Sequence, residues 1–402
     1  MLVEGNAMHF RFMRWLAVAI ATIALGAGGA GAQDLITKKE TLELASFTTQ
    51  SGRELKNVKV GYESYGTLNA AKSNAILICH YFTGNSHAAG KYAEADKVPG
   101  YWDAIIGPGK AIDTNKWFVV SSDTLVNLGA NDKNVITTGP ASIEPTTNKP
   151  YGMTFPIVTI RDFVEVQKKL ADKLGISKWA MVSGASMGAL QTYEWAASYP
   201  EMVAKIMPVI GFAEADANLI AWLDIWATPI RLDPKLNGGD YYGREPPNAG
   251  LAQSLKIVTL HAQHWKWANA TFGRKWAKEG DDPATGFDKR YAIEAALDTA
   301  GAGRAATSDA NHFLYLVKAN QLFAAGGGGP DYLKKIKAPI LLVTQPDDLV
   351  FHADGVKQMV EGVKAAGGRI DHVLLSGSRG HLDGVLSIKQ AEARIAEFLG
   401  QP

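Results

Sequence analysis

The chain has 402 residues, of which 47% are hydrophobic and 20% charged, enough to build one large domain with an insertion or two domains. Its 41 basic and 40 acidic side chains nearly cancel, giving a net charge of +1. That balance gives no electrostatic footprint for nucleic acid or an anionic surface, and a single cysteine, Cys79, excludes an internal disulfide.

At the N-terminus, Arg11 and Arg14 precede the apolar run Trp15–Leu25, and small residues follow to Ala30-Gly31-Ala32. A basic stretch, an apolar stretch and an A-x-A end make an export signal over residues 1–32. The apolar run is short for a membrane span. The expectation is a chain exported to the periplasm or beyond, with no stable span after cleavage.

Strand and helix signals then alternate. Val58–Tyr65 alternates as a strand, and Ala75–Cys79 is continuously apolar, as a buried strand is. Cys79 reads as a buried small apolar residue within that strand. Lys116–Ser122 is a further strand, and Ile160–Leu174 carries a helical stripe of Phe163, Val164, Val166, Leu170 and Leu174. Trp179–Val182 and Lys205–Ile210 are strands, as are Pro339–Thr344 and His372–Leu375 much later. Strands separated by helices predict an α/β fold, a mostly parallel sheet with helices on both faces.

Between the strands at Trp179 and Lys205 lies Ser183-Gly184-Ala185-Ser186-Met187-Gly188, followed by a helical run. Gly-x-Ser-x-Gly at a strand-to-helix turn is the nucleophile elbow of α/β-hydrolases. The reversal is so sharp that the serine's neighbours must lack bulk, and the hydroxyl stands above the sheet at the positive end of a helix dipole. The motif alone is weak; its place between strand and helix gives it weight.

Residues 212–334 break the rhythm, with few strand signals and Trp222, Trp226, Trp265, Trp267 and Trp276. They predict a helical cap inserted between two parts of the core, residues 33–211 and 335–402. One or two of these tryptophans are candidates to line an acyl pocket.

A serine hydroxyl needs a base, and the base needs an acid to orient it. In this fold the chain order is serine, acid, histidine. Thr344-Gln345-Pro346-Asp347-Asp348 follows a late strand, so Asp347 is the expected acid, with Asp348 the alternative. The base is expected in the loop after the next strand, where Gly380 precedes His381. Of the other histidines, His372 lies within a strand, His352 lies close to the acid, and His261, His264 and His312 belong to the cap. The oxyanion of an acyl-transfer intermediate needs two backbone donors: Met187, after the nucleophile, and one from the loop His80–His87. The histidines lack the spacing of a zinc motif, so neither metal nor cofactor is expected.

With these segments in place, the chain resembles the homoserine O-acetyltransferase family of α/β-hydrolases over roughly Leu42–Leu399. The resemblance rests on His80-Tyr81-Phe82-Thr83-Gly84, Tyr101-Trp102-Asp103, Gly107–Thr114, Thr138–Ile143, Phe155–Asp162, the elbow and Asn237–Tyr241. It implies a triad of Ser186, Asp347 and His381, oxyanion donors on the backbone of Phe82 and Met187, and dimers as a common assembly. Two departures matter. The family's acyltransferases carry a cap arginine in a Thr-Tyr-Arg-like run, thought to hold the homoserine carboxylate. Here that position aligns with Gln263, and an amide does not replace a bidentate cation. The histidine loop reads His381-Leu382-Asp383 in place of the family's His-Asp.

The resemblance therefore implies an exported, hydrolytic branch, since acetyl-CoA is a cytoplasmic donor and an exported enzyme meets water. The expected function is a serine carboxylesterase acting on short acyl esters, acetyl esters foremost, with a small-molecule ester as its partner. The alternative enzyme reading is acetyl transfer from acetyl-CoA to homoserine or another alcohol. A third, non-enzymatic reading is an exported binding protein on an inactive hydrolase scaffold, against which the complete serine, acid and histidine order speaks.

Overall fold

The structure, a computed structural model, describes residues 35–329 and 331–401. The expected export signal, residues 1–32, lies outside the described residues. No helix among the described residues is long and apolar enough to cross a membrane.

Eight strands form the central sheet: β1 (Glu40–Thr48), β2 (Glu54–Tyr65), β3 (Ala75–Cys79), β4 (Phe118–Ser122), β5 (Met181–Ala185), β6 (Ile206–Val209), β7 (Ile340–Thr344) and β8 (Ile370–Leu374), in the order β1-β2-β4-β3-β5-β6-β7-β8. β1 and β2 are antiparallel to each other, and β2 to β4. Every pairing from β4 through β8 is parallel. The inner strands β3, β4, β5, β6 and β7 are buried along their whole length. A strand covered by helices on both faces reads as a continuous apolar run for this reason.

β1 escaped the sequence reading. Its side chains are mostly accessible, and only Leu42 and Phe47 are buried along its nine residues. It is an antiparallel edge strand with too weak an alternation to announce itself.

Helix α1 (Ile160–Leu174) begins at a capping box, where the Thr159 side chain accepts from the Asp162 backbone and Asp162 reaches back to the Thr159 amide. It ends at Gly175, in a left-handed conformation. Helix α2 (Met187–Ser198) runs directly from the end of β5 and is buried on almost every side. Two apolar clusters fill the space on either side of the sheet, one containing Leu77, Phe163, Leu190 and Trp195, the other Ile76, Ile78, Met207 and Leu341.

Between β6 and β7 run the helices α3 (Ala217–Leu232), α4 (Asn248–His261), α5 (Trp265–Thr271), α6 (Ala292–Ala305) and α7 (Ala310–Gln321). This stretch contributes no strand to the central sheet. Its helices pack chiefly on one another, α4 on α3 and α6, and α7 on α3. They rise over the carboxyl ends of the parallel strands, where open α/β sheets place their ligand sites.

Candidate active site

Ser186 occupies the turn from β5 to α2 with φ 56° and ψ −118°, a left-handed conformation that a side chain seldom adopts. The surroundings hold it there. The Ser186 amide donates to Val209 O at 2.9 Å. A methyl group at Gly184 would lie 2.4 Å from Cys79 O, and one at Gly188 would lie 2.1 Å from the same oxygen. Only glycine lets β3, β5 and α2 approach this closely. The Ser186 side chain does not cap its own helix; its hydroxyl points at His381 instead.

Ser186 Oγ donates to His381 Nε2 at 3.0 Å. The other ring nitrogen, His381 Nδ1, donates to Asp348 Oδ2 at 2.8 Å. The expected acid, Asp347, is not the one that meets the histidine. The turn closed by Asp348 N and Gln345 O at 3.1 Å sends the two adjacent carboxylates opposite ways. Asp347 turns outward to Lys266 Nζ, 2.6 Å away, and that cation holds its carboxyl below the usual carboxylate range. Asp348 is buried and accepts from the amides of Val350 at 2.7 Å and Phe351 at 3.0 Å. Its remaining oxygen is thereby fixed on the imidazole.

The histidine loop is fixed by Asp383, which the sequence shows only as a departure from the family's pattern. Buried Asp383 accepts from the Arg379 amide at 2.9 Å and from Ser387 Oγ at 2.7 Å. Gly380, one residue before His381, takes φ 63°, the bend the sequence reading asked of it.

Met187 N heads α2, and Phe82 lies in the loop after β3. Neither amide donates to an acceptor among the described residues. The loop is tied down from behind. Its first residue, His80, donates from Nδ1 to Tyr81 O at 2.8 Å and accepts at Nε2 from Asn127 Nδ2 at 3.1 Å. The same Asn127 group also donates to Gly84 O at 3.2 Å, and the Ser86 amide donates to Asp123 at 2.8 Å. Burial pushes the His80 ring below its ordinary pKa, which keeps it neutral in this bonding pattern.

The cap closes over these groups with aromatic rings. Trp226 meets Phe82 edge-on at 5.5 Å between centroids, and Phe313 meets it at 5.2 Å. His261, at the end of α4, stacks on Trp222 at 4.0 Å. It accepts from Trp226 Nε1 at 3.2 Å and donates from Nε2 to Leu349 O at 3.1 Å, which fixes a single neutral tautomer. Burial, and the nearby His381, lower its pKa to about 4. Of the cap tryptophans, Trp226 is the one packed on the oxyanion loop, whereas Trp265 and Trp276 are exposed. Cys79 is fully buried, and burial pushes its thiol pKa far up, which suits a core residue and not a nucleophile.

A hydroxyl bonded to an imidazole, an imidazole oriented by a buried carboxylate, and two free amides near the hydroxyl meet the geometric needs of nucleophilic acyl transfer. No protein-family model matches the chain. A homoserine O-acetyltransferase from Symbiobacterium thermophilum is 37% identical over 374 residues, 91% of this chain and 96% of that protein. The chain belongs to the homoserine O-acetyltransferase family of α/β-hydrolases. Two solved structures of this kind superpose on it with a TM-score of 0.86. One is esterase E22, 46% identical, matching 90% of this chain and 100% of that chain. The other is the homoserine O-acetyltransferase from Bacillus anthracis, 34% identical, matching 91% of this chain and 98% of that chain. The chain is thus similar both to a protein named for ester hydrolysis and to proteins named for acetyl transfer.

Proposed function

We propose that the protein is an exported serine carboxylesterase that hydrolyses short-chain acyl esters, acetyl esters foremost. Ser186 attacks the ester carbonyl while His381 takes its proton. Asp348 holds the imidazole tautomer and stabilises the imidazolium that forms. The amides of Phe82 and Met187 stabilise the oxyanion. The alcohol leaves with the proton from His381. Water, deprotonated by His381, then attacks the acyl-enzyme and releases the acid.

The observation that carries hydrolysis over transfer is Gln263 at the position where the family's acyltransferases carry arginine. Its buried side-chain Oε1 has no partner among the described residues. An amide there offers no bidentate cation for a homoserine carboxylate. The export-like residues 1–32 support the same reading, because an exported enzyme is separated from acetyl-CoA. The likeness to homoserine O-acetyltransferases favours the second reading, acetyl transfer to homoserine. The test compares hydrolysis of p-nitrophenyl acetate with acetyl transfer from acetyl-CoA to homoserine in the purified protein. Rapid hydrolysis without transfer is expected; efficient transfer overturns the proposal.

A further inference from the structure

Asn127 lies in the loop after β4 and is fully buried. The chain reaches it through an unusual turn. Val126, just before it, takes φ 50°, a left-handed conformation that a β-branched residue rarely adopts. The turn is held from several sides. The Val126 amide donates to Thr138 O at 3.0 Å, and the Asn127 amide donates to Thr137 Oγ1 at 3.0 Å. From the cap, His312 Nδ1 donates to Asn127 O at 2.8 Å. Backbone strain persists only where the surroundings over-determine it, and it gathers at functional sites.

The partners of the Asn127 side chain fix its orientation. Its Oδ1 accepts from the Gly129 amide at 2.9 Å, so the other terminal atom is the nitrogen. That nitrogen donates twice, to His80 Nε2 at 3.1 Å and to Gly84 O at 3.2 Å. His80 can accept there because its Nδ1 proton is already spent on Tyr81 O.

Between these two anchors lies a β-turn. The Gly84 amide donates to Tyr81 O at 2.9 Å, which closes Tyr81-Phe82-Thr83-Gly84. Phe82 is its second residue, whose amide the turn's own hydrogen bond does not use. Asn127 therefore grips the residue before the turn and the last residue of the turn with one NH2 group. On the α2 side, Gln191 Nε2 donates to His80 O and to Met187 O, both at 3.3 Å. The same loop is thus joined to the helix that carries the second expected oxyanion donor. The rings of Trp226 and Phe313 hold the Phe82 side chain, whereas Asn127 holds the backbone on either side of its amide.

We infer that Asn127 is a positioning residue for the acyl-transfer step: by bracketing the Tyr81–Gly84 turn it aims the Phe82 amide at the oxyanion. This rests on the oxyanion roles of the proposed function and holds whether water or an alcohol takes the acyl group. A donor aimed at developing charge stabilises the transition state far more than the bound ester. A misdirected amide therefore lowers kcat and leaves KM nearly unchanged.

The test is Asn127→Ala, assayed with p-nitrophenyl acetate at a temperature where urea unfolding shows the variant to be folded. kcat should fall by about 10–100-fold, less than for outright loss of a donor, with KM within about threefold. Two competitive inhibitors separate aim from general damage. Ser186 adds to the carbonyl of 4-phenyl-1,1,1-trifluoro-2-butanone and places an oxyanion against the two amides, whereas 4-phenyl-2-butanone binds without addition. The inhibition constant of the fluorinated ketone should rise in step with the fall in kcat/KM, and that of the plain ketone should hold. An unchanged kcat, or equal weakening of both ketones, overturns the inference. If Asn127→Ala does not fold, Asn127→Ser is measured in its place, with the same split expected and the same outcomes counting against it. If the unaltered protein transfers acetyl from acetyl-CoA to homoserine in place of hydrolysis, the esterase reading fails separately, and the kcat loss is read from transfer. If it does neither, the rate of fluorophosphonate labelling at Ser186 decides: slower labelling of the variant supports the inference, and equal rates or no labelling of either protein overturn it.

Discussion

Asp348 and Asp347 are neighbours in the chain and face opposite ways: Asp348 accepts from His381 Nδ1 at 2.8 Å, while Asp347 pairs with Lys266 at 2.6 Å. The buried carboxylate fixes the imidazole, and the outer one belongs to a half-exposed ion pair. Replacing each by asparagine therefore separates the two. Asp348→Asn should lower kcat by about 10³–10⁴, because the amide favours the wrong imidazole tautomer. Asp347→Asn should stay within a few-fold, as half-exposed ion pairs contribute little. Steady-state hydrolysis of p-nitrophenyl acetate reads both, and a larger loss in Asp347→Asn contradicts the assignment.

Gly188 admits no side chain, since an added methyl would lie 2.1 Å from Cys79 O. That oxygen belongs to a central strand and cannot step aside. Gly188→Ala should cost about 1–3 kcal/mol of stability and displace the elbow, with activity falling too. Denaturant midpoints and kcat measured on the same preparation test this. An unchanged midpoint would mean that β3 and α2 are less tightly apposed.

His261 makes stability depend on pH. Its folded pKa of about 4 lies below the ordinary value of 6.5, so the unfolded chain binds the proton first as pH falls. Its contribution is complete above pH 6.5 and is lost as pH drops toward 4, amounting to about 3 kcal/mol at the lower end. His261→Gln should flatten stability over that window relative to the unaltered protein. Equal pH slopes in urea unfolding would show that the ring titrates normally.

The Cys79 thiol is buried and unfit for reaction. Iodoacetamide on the native protein should leave hydrolysis intact, with modification appearing only after unfolding. Rapid loss of activity on alkylation would contradict this.

The parallel core was legible because its strands are continuous apolar runs with helical stripes between them. The elbow was legible because glycines and serine stand at one strand-to-helix turn. His381 followed from chain order and from Gly380. The choice between Asp347 and Asp348 was not legible: adjacent carboxylates differ only in which side of a turn they face, and the Gln345–Asp348 turn sets that. Asp383 reads as an ordinary loop residue until its bonds to Arg379 and Ser387 are seen.

The most direct measurement is active-site labelling with a fluorophosphonate, followed by peptide mass mapping. The account predicts one adduct per chain, on Ser186, formed in step with the loss of p-nitrophenyl acetate hydrolysis, and neither adduct nor hydrolysis in a folded Ser186→Ala variant. An adduct elsewhere, or hydrolysis above a few per cent in Ser186→Ala, would contradict it.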